Sequence, residues 1–343
     1  MSVLLLILSL AVLAWILTAQ LRRYALARSL LDVPNARSSH SLPTPRGGGV
    51  AIVVAFLLGL GVAFFAGLGI PPELFYALSG AGLGIALLGF LDDHGHIAAR
   101  WRLLGHFLAA AWVLYWLGGL PPLAVFGGLL QLSWIGHVLA AFYLVWLLNL
   151  YNFMDGIDGI ASIEAISVCL GGAILYALLE TSLLTDLPLP LLMLAAAVLG
   201  FLLWNFPPAR IFMGDAGSGF LGIALGVLSL QAAWTSPVLL WGWLILLGVF
   251  IVDATLTLLR RLLRGEKVYE AHRSHAYQYA ARQFGRHLPV TLAVLAINLF
   301  WLLPVAVTVA LGWLDGLLGV LLAYAPLVLL ALRFHAGQAE NRA

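Results

Sequence analysis

Charge is scarce in this chain. Only 9% of its 343 residues are Asp, Glu, Lys or Arg, against 63% hydrophobic residues, whereas a soluble domain is roughly a quarter charged and roughly half apolar. That shortage, with a mean hydropathy of +1.03, excludes a soluble globular protein. The single cysteine, Cys169, lies inside an apolar run, so there is no disulfide framework and its expected role is packing. No low-complexity tract, long linker or internal repeat is visible, and residues 1–343 read as one integral membrane domain. The formal net charge is +2 with no basic stripe that could track phosphates, which removes nucleic acid as a partner.

What the chain has instead is apolar runs. Crossing about 30 Å of hydrocarbon takes about 20 apolar residues as helix. Runs near that length lie around 3–20, 48–69, 74–91, 103–118, 134–150, 160–180, 188–205, 217–233, 237–258, 289–312 and 315–333. The expected fold is therefore all-α and polytopic, with about eleven transmembrane helices. Residues 121–133 are too short and too broken by Gly and Pro to span; they predict a small hairpin or re-entrant turn on the outer side.

All seventeen Lys and Arg residues fall in segments that would share one side of a membrane. The first run has no basic residue before it and Arg22, Arg23 and Arg28 just after it, the reverse of a secretory signal. It reads as a retained span with its N-terminus periplasmic. The positive-inside rule then puts 21–47, 92–102, 151–159, 206–216, 259–288 and the tail from Arg333 in the cytoplasm, making a multi-pass protein of the inner (plasma) membrane. The same inner segments carry most of the Asp, Asn and His residues, a pattern expected of an enzyme site on the cytoplasmic face.

Asp92 and Asp93 stand together at the inner end of the third span, where two carboxylates beside hydrocarbon need a metal or cations to compensate them. Asn149, Asn152, Asp155 and Asp158 follow at the end of the fifth. Their three-residue spacing makes adjacent pairs helix neighbours, but an unbroken helix would put the first and last on opposite faces. A break at Gly156 or Gly159 would let them converge on a cation; alternatively, Asp158 caps the sixth span. The loop from Asn205 to Gly219 has a Gly-rich turn before a helix, which offers amide hydrogens to an anion. Asp215 within it argues for a bridging Mg²⁺, or for a plain helix cap. The largest inner loop holds Arg260, Arg261, Arg264, Lys267, Arg273, Arg282 and Arg286 around His272-Arg-Ser-His-Ala-Tyr-Gln278. Most of these basics are expected to anchor the chain at anionic lipid heads. His272 and His275 lack the partners of a structural zinc site, and phosphate contact is the better use. The first inner loop supplies His40, Arg46 and the triple glycine 47–49, either a backbone nest for phosphate or a place of close helix packing.

Taken in order, RGGG, LGFLDD, NLYNFMDGIDGIAS, RIFMGDAGSGFLG and HRSHAYQ resemble the polyprenyl-phosphate N-acetylhexosamine-1-phosphate transferase family, over residues 32 to 278. The resemblance implies that a UDP-N-acetylhexosamine donor and an undecaprenyl phosphate acceptor give the lipid-linked diphosphate sugar and UMP, initiating O-antigen or cell-wall glycan synthesis. It implies Mg²⁺, with Mn²⁺ a candidate substitute, and admits a homodimer. The expected catalytic carboxylates are Asp92, Asp93, Asp155 and Asp158, with Asp92 taking the last proton or positioning the lipid phosphate. Metal ligands would be Asn152 and Asp215; substrate contacts would be His40, Arg46, Arg102, Asn149, Asn205, His272, Arg273 and His275. This chain departs from the family at Arg102, where many relatives have Lys, and in the loop HRSHAYQ, which looks more like the O-antigen-initiating branch acting on QuiNAc or FucNAc.

Two rivals remain in view. A transporter or flippase of lipid-linked sugars also has many spans, but calls for ionisable residues near the midplane at broken helices, whereas the polar residues here cluster at one interface, with Asp253 in the ninth run as an exception. The CDP-alcohol phosphotransferase signature requires an Ala-Arg that the segment Asp155–Ser162 lacks.

Overall fold

The computed structural model describes residues 3–34, 42–95, 97–179, 188–267 and 272–338. His40 lies outside them. Helices α1 (Val3–Ala27), α2 (Val50–Phe65), α3 (Pro72–Gly95), α4 (Ala99–Leu117) and α5 (Ser133–Met154) lead to α6 (Ile160–Leu179), α7 (Leu189–Asn205) and α8 (Asp215–Thr235). A bent pair, α9 (Pro237–Leu246) and α10 (Gly248–Leu263), precedes a short α11 (Ala276–Phe284). Then come α12 (Leu288–Ile297), a π turn over Asn298–Leu302, α13 (Leu303–Ala310) and α14 (Gly316–Arg333).

Every apolar run read from the sequence carries helix, and the chain is a multi-pass membrane protein. Among the described residues seven helices are long and apolar enough to cross a membrane, or eight if α9 and α10 form one span across a 69° bend. The expected count of about eleven exceeds this for a physical reason: α2 and α7 are apolar but short, and α4 opens with two arginines in its first turn.

The irregularities follow from local chemistry. Pro304 has no N–H to offer the carbonyl of Phe300, and the chain widens into the π turn just before it. The hairpin expected within 121–133 is present as β3 (Leu123–Val125) paired antiparallel with β4 (Gly128–Leu130). Phe126 (φ 48°) and Gly127 (φ 77°) turn it in the left-handed region, the signature of a two-residue hairpin loop. Asp315 anchors this tip by accepting from the Phe126 amide at 2.6 Å, while its other oxygen caps α14 through the Leu317 amide at 3.0 Å. A second small ladder pairs β1 (Leu31–Asp32) with β2 (Thr44–Pro45).

Helix α8 is the axis of the bundle, buried along almost its whole length. Its Gly217 and Gly222 let neighbouring backbones come close, and its Gly219 and Gly226 make room for side chains of α3 and α5, which is how helices associate where lipid provides no hydrophobic drive. A Cβ on Gly222, for instance, would lie 2.7 Å from the Leu147 carbonyl of α5.

The polar residues are not all gathered at one end, as the sequence suggested. Glu164 of α6 is fully buried, and its Oε2 accepts from Asn298 of the π turn at 2.7 Å. One acid in a long apolar run leaves no periodic signal, and only the packing of α6 against the π turn reveals its partner.

Gly222→Val should lower stability by about 1–3 kcal/mol through overpacking, read as an earlier thermal melt in detergent. Gly84→Val, whose Cβ would meet nothing within 4 Å, is the control. Equal melts for both would show that α5 and α8 are not packed through this seam.

Candidate active site

The C-terminal ends of α3 and α5 meet the first turn of α8. Gly89 permits the approach, since a Cβ there would lie 2.5 Å from the backbone of Asp215 and Ala216. A helix N-terminus offers unpaired amide hydrogens and the positive end of the dipole. Here the anion that answers them is internal: Asp93 Oδ2 accepts from the Asp215 amide at 3.1 Å. Arg46 places Nη1 3.8 Å from Asp93 Oδ1 and hydrogen-bonds the Asp93 carbonyl. The phosphate cradle expected at this turn therefore already holds a carboxylate. The triple glycine is no phosphate nest either. Gly48 and Gly49 donate to the carbonyls of Phe212 and Met213, both at 2.9 Å, and a Cβ on Gly49 would meet Gly217 Cα at 2.5 Å. It serves close packing.

Asp92, although adjacent, has separate partners. Its Oδ2 accepts from Arg102 Nη1 at 2.6 Å and its Oδ1 from the Ile97 amide at 2.6 Å. Arg102 also lies 3.8 Å from Asp215 Oδ2. Across the gap, Asn152 Nδ2 donates to Asp215 Oδ1 at 2.9 Å and to Ser218 Oγ at 3.2 Å. Asp215 thus begins α8 without serving as its side-chain cap, because its carboxylate turns to α5.

The four-residue polar series does not converge as a set. Helix α5 stops at Met154, and the turn before α6 includes Gly159 at φ 75°, so the break falls where the glycines allowed it. Asn152 faces Asp215. Asn149 lies one turn further into the bundle, donating to the Val145 carbonyl at 2.7 Å and to His106 Nδ1 at 3.3 Å. Asp158 turns toward a different loop, accepting from the Ala209 amide at 3.0 Å with His287 Nδ1 3.0 Å from its other oxygen. Asp155 remains beside the cluster. Burial, and then the charges of Asp215, Asp93 and Asp158, push its carboxyl well above the usual range.

Burial is the larger part of that push, but the three neighbouring carboxylates add to it, and a cation placed among them would offset their charge. Among the described residues no three or more His, Cys, Asp or Glu side chains form a ready-made metal cage. Mg²⁺ does not need one, because it takes one or two carboxylates together with substrate oxygens and water. An amide oxygen from Asn152, a carboxylate from Asp215 and the surplus charge around Asp155 suit that ion.

Beside this cluster lies a cavity of about 670 Å³ lined by Asp158, Pro208, Phe212, Arg273, Arg286 and His287, among others. Not every arginine of the last inner loop is available to it. Glu266 binds Arg261 Nε and Arg264 Nη2, each at 2.7 Å, and Arg260 donates to the Ala336 carbonyl at 2.8 Å. Arg273, Arg282 and Arg286 are the basic residues of this loop that line the cavity.

The two histidines of the loop part company. His272 accepts at Nδ1 from Ser274 and stacks on His275 with ring centroids 4.9 Å apart. Burial, then His275 and Arg261, holds it down to about 3, so it is neutral at pH 7. His275 is buried at 2% exposure, with Nδ1 3.3 Å from Asp253 Oδ1. Asp253 also accepts from the amides of Ala276 and Tyr277, both at 2.9 Å, and from Thr257 at 3.1 Å. His275 is therefore fixed to the interior through Nδ1. Asn205 is held in the same way: it is buried, its Oδ1 accepts from the Gly159 amide and its Nδ2 donates to the Ile211 carbonyl, each at 3.0 Å. Sequence reasoning passed over His106 and His287, which carry no motif and join the site only by packing, and over Ser218, which lies inside the motif around Asp215.

Residues 75–233 match the model of glycosyl transferase family 4. The chain is 30% identical over 277 residues to the probable undecaprenyl-phosphate N-acetylglucosaminyl 1-phosphate transferase of Bacillus subtilis, covering 76% of this chain and 72% of that protein. It is 28% identical over 331 residues to the decaprenyl-phosphate N-acetylglucosaminephosphotransferase of Mycobacterium tuberculosis, covering 83% and 77%. Against the phospho-N-acetylmuramoyl-pentapeptide-transferase of Streptococcus thermophilus it is 32% identical over 245 residues, covering 65% and 67%.

Removing the acceptor shared by His275 and the first amides of α11 leaves buried donors unsatisfied. Asp253→Ala should lower stability by about 1–3 kcal/mol or more, measured by thermal melting in detergent, whereas His272→Ala should cost much less. Comparable losses for the two would mean that Asp253 does not hold the loop.

Proposed function

The chain belongs to glycosyl transferase family 4, and on that premise we propose that it moves an N-acetylhexosamine-1-phosphate from a UDP-linked donor to undecaprenyl phosphate, releasing UMP. The observation that carries the reading is the juxtaposition of Asn152, Asp215, Asp93 and Arg102 at one end of a membrane bundle, next to a cavity lined by Arg273, Arg282 and Arg286. One substrate has to arrive from water and the other from the bilayer, and such an end is open to both. The donor is UDP-GlcNAc or a 6-deoxy analogue such as UDP-QuiNAc or UDP-FucNAc, and the product initiates a lipid-linked glycan.

In this mechanism an oxygen of the lipid phosphate attacks the β-phosphorus of the donor, and the bond to the UMP oxygen breaks. A phosphate monoester has a second pKa of about 6, so the nucleophile is already largely dianionic and alignment matters more than a strong base. Arg102 meets the lipid phosphate, and Asp92 positions Arg102 through their 2.6 Å contact. Arg273 and its neighbours in the cavity receive the charged donor. Asn152 and Asp215 hold Mg²⁺, which when bound neutralises charge on the diphosphate. Asp93 fixes the first turn of α8, and hence the direction of Asp215.

Glu164, buried against Asn298, is the kind of interior acid that the transporter reading calls for. It is a single residue beside a site with carboxylates and arginines at the inner end, and the transferase reading accounts for those. The direct test is release of UMP by purified protein given undecaprenyl phosphate, Mg²⁺ and a panel of UDP-sugars. No release with any N-acetylated donor would overturn the proposal.

Two variants separate the roles. Asp92→Asn should cut turnover by about 10²-fold or more through misplacement of Arg102, with donor affinity nearly intact by calorimetry. Arg273→Ala should weaken donor binding about tenfold or more. Loss of donor binding in the first and none in the second would reverse the assignment.

The site requires a cytoplasmic inner end, hence an N-out, C-in orientation. Cys169 is buried, so single cysteines report cleanly. Leu129→Cys on the hairpin should react with an impermeant reagent in intact cells, and Ala99→Cys only after permeabilisation. The opposite pattern would put the site on the wrong side for a UDP-sugar.

A further inference from the structure

The acceptor's prenyl chain cannot leave hydrocarbon, so its phosphate must reach Arg102 from the membrane side. What lies immediately on that side is a second polar layer. On α4, His106 is four residues beyond Arg102; on α5, Asn149 is three residues before Asn152. Each step is about one helical turn, or about 5 Å, deeper into the bundle. The two side chains touch across the seam, with Asn149 Nδ2 3.3 Å from His106 Nδ1.

This contact fixes the imidazole. An amide nitrogen only donates, and Asn149 Nδ2 is held in that orientation by its 2.7 Å bond to the Val145 carbonyl. Nδ1 is therefore the acceptor, and the ring proton sits on Nε2. Among the described residues Nε2 has no hydrogen-bond partner, and His106 is half-buried rather than enclosed. Around it α4 shows Leu103, Leu104 and Leu108 to the outside, and Phe107 meets Phe142 of α5 edge to face at 5.6 Å. A donor left without a partner amid lipid-facing side chains is costly, unless something polar arrives with the lipid.

We propose that His106, held by Asn149, is a binding residue for the acceptor lipid: Nε2–H donates to an oxygen of the polyprenyl phosphate as it enters along the α4–α5 seam toward Arg102. The inference rests on the transferase reading above and adds to it the entry route and a residue that reads the acceptor alone. A neutral donor suits this place. It recognises phosphate without adding a second buried cation next to Arg102, and it leaves the donor cavity untouched.

The test uses the purified full chain in nanodiscs, varying undecaprenyl phosphate at saturating UDP-N-acetylhexosamine. His106→Phe keeps a ring but has no N–H, and should raise the acceptor KM about tenfold, with the donor KM unchanged within about twofold. His106→Gln retains an N–H donor of similar reach and should recover most of the loss. An acceptor KM unchanged in His106→Phe, or equal effects of Phe and Gln, would make His106 a packing residue and overturn the inference. Binding of undecaprenyl phosphate by native mass spectrometry gives a readout without turnover. It should weaken in His106→Phe by the same factor, and it holds even if the donor chemistry is wrong. Wild-type protein that binds the lipid phosphate but releases no UMP would overturn the transferase reading and leave this one standing. Wild-type protein that does not bind the lipid would overturn both.

Discussion

The carboxylate of Asp93 at the start of α8 holds the inner end of this molecule together. The first turn of a helix presents amide hydrogens that have no partner within the helix and a partial positive charge. Asp93 answers them from α3, and Arg46 balances it from the first inner loop. One carboxylate thereby joins three segments distant in sequence. It also sets the direction in which Asp215 points, since the amide it binds is that of Asp215 itself. The close approach depends on Gly89 and Gly217, where side chains would force the backbones apart.

A second buried carboxylate repeats the device on the other side of the site. Asp253 meets the first amides of α11 and the ring of His275, so the loop that presents Arg273 to the cavity is tied to the bent helix α10. In both places an acid residue is used for architecture: Asp93 holds the helix start that carries Asp215, and Asp253 holds the loop that carries Arg273. This division explains why adjacent polar residues, such as Asp92 and Asp93 or His272 and His275, have different surroundings and different roles.

The comparison of expectation with structure follows the same line. Helical runs, the outer hairpin and the grouping of Asp92, Asp93, Asn152 and Asp215 were legible because each rests on local pattern: length of apolar run, turn residues, and polar groups placed beside hydrocarbon. Asn205 and His275 were read as ligand contacts because their residue types suit phosphates and sugars, and the triple glycine as either a phosphate nest or a place of close packing. In the structure Asn205 and the glycines meet backbone groups and His275 meets the Asp253 carboxylate, since a buried polar group requires a partner whether or not a substrate is present. Glu164 and His106 were overlooked for the opposite reason, as single polar residues within apolar stretches carry no periodicity.

The sequence by itself determined that the chain lives in the bilayer, that it is helical, and which inner segments hold the reactive residue types. These are properties of composition and spacing, and the bilayer enforces them on any chain of this kind. Only the tertiary structure decided which polar groups face one another. Helix packing brings Asn152 of α5 to Asp215 of α8, sends Asp158 toward Ala209 and His287, and sets His106 against Asn149. A hydrogen bond depends on distances of a few tenths of an ångström between helices far apart in the chain, and no spacing within one segment encodes them.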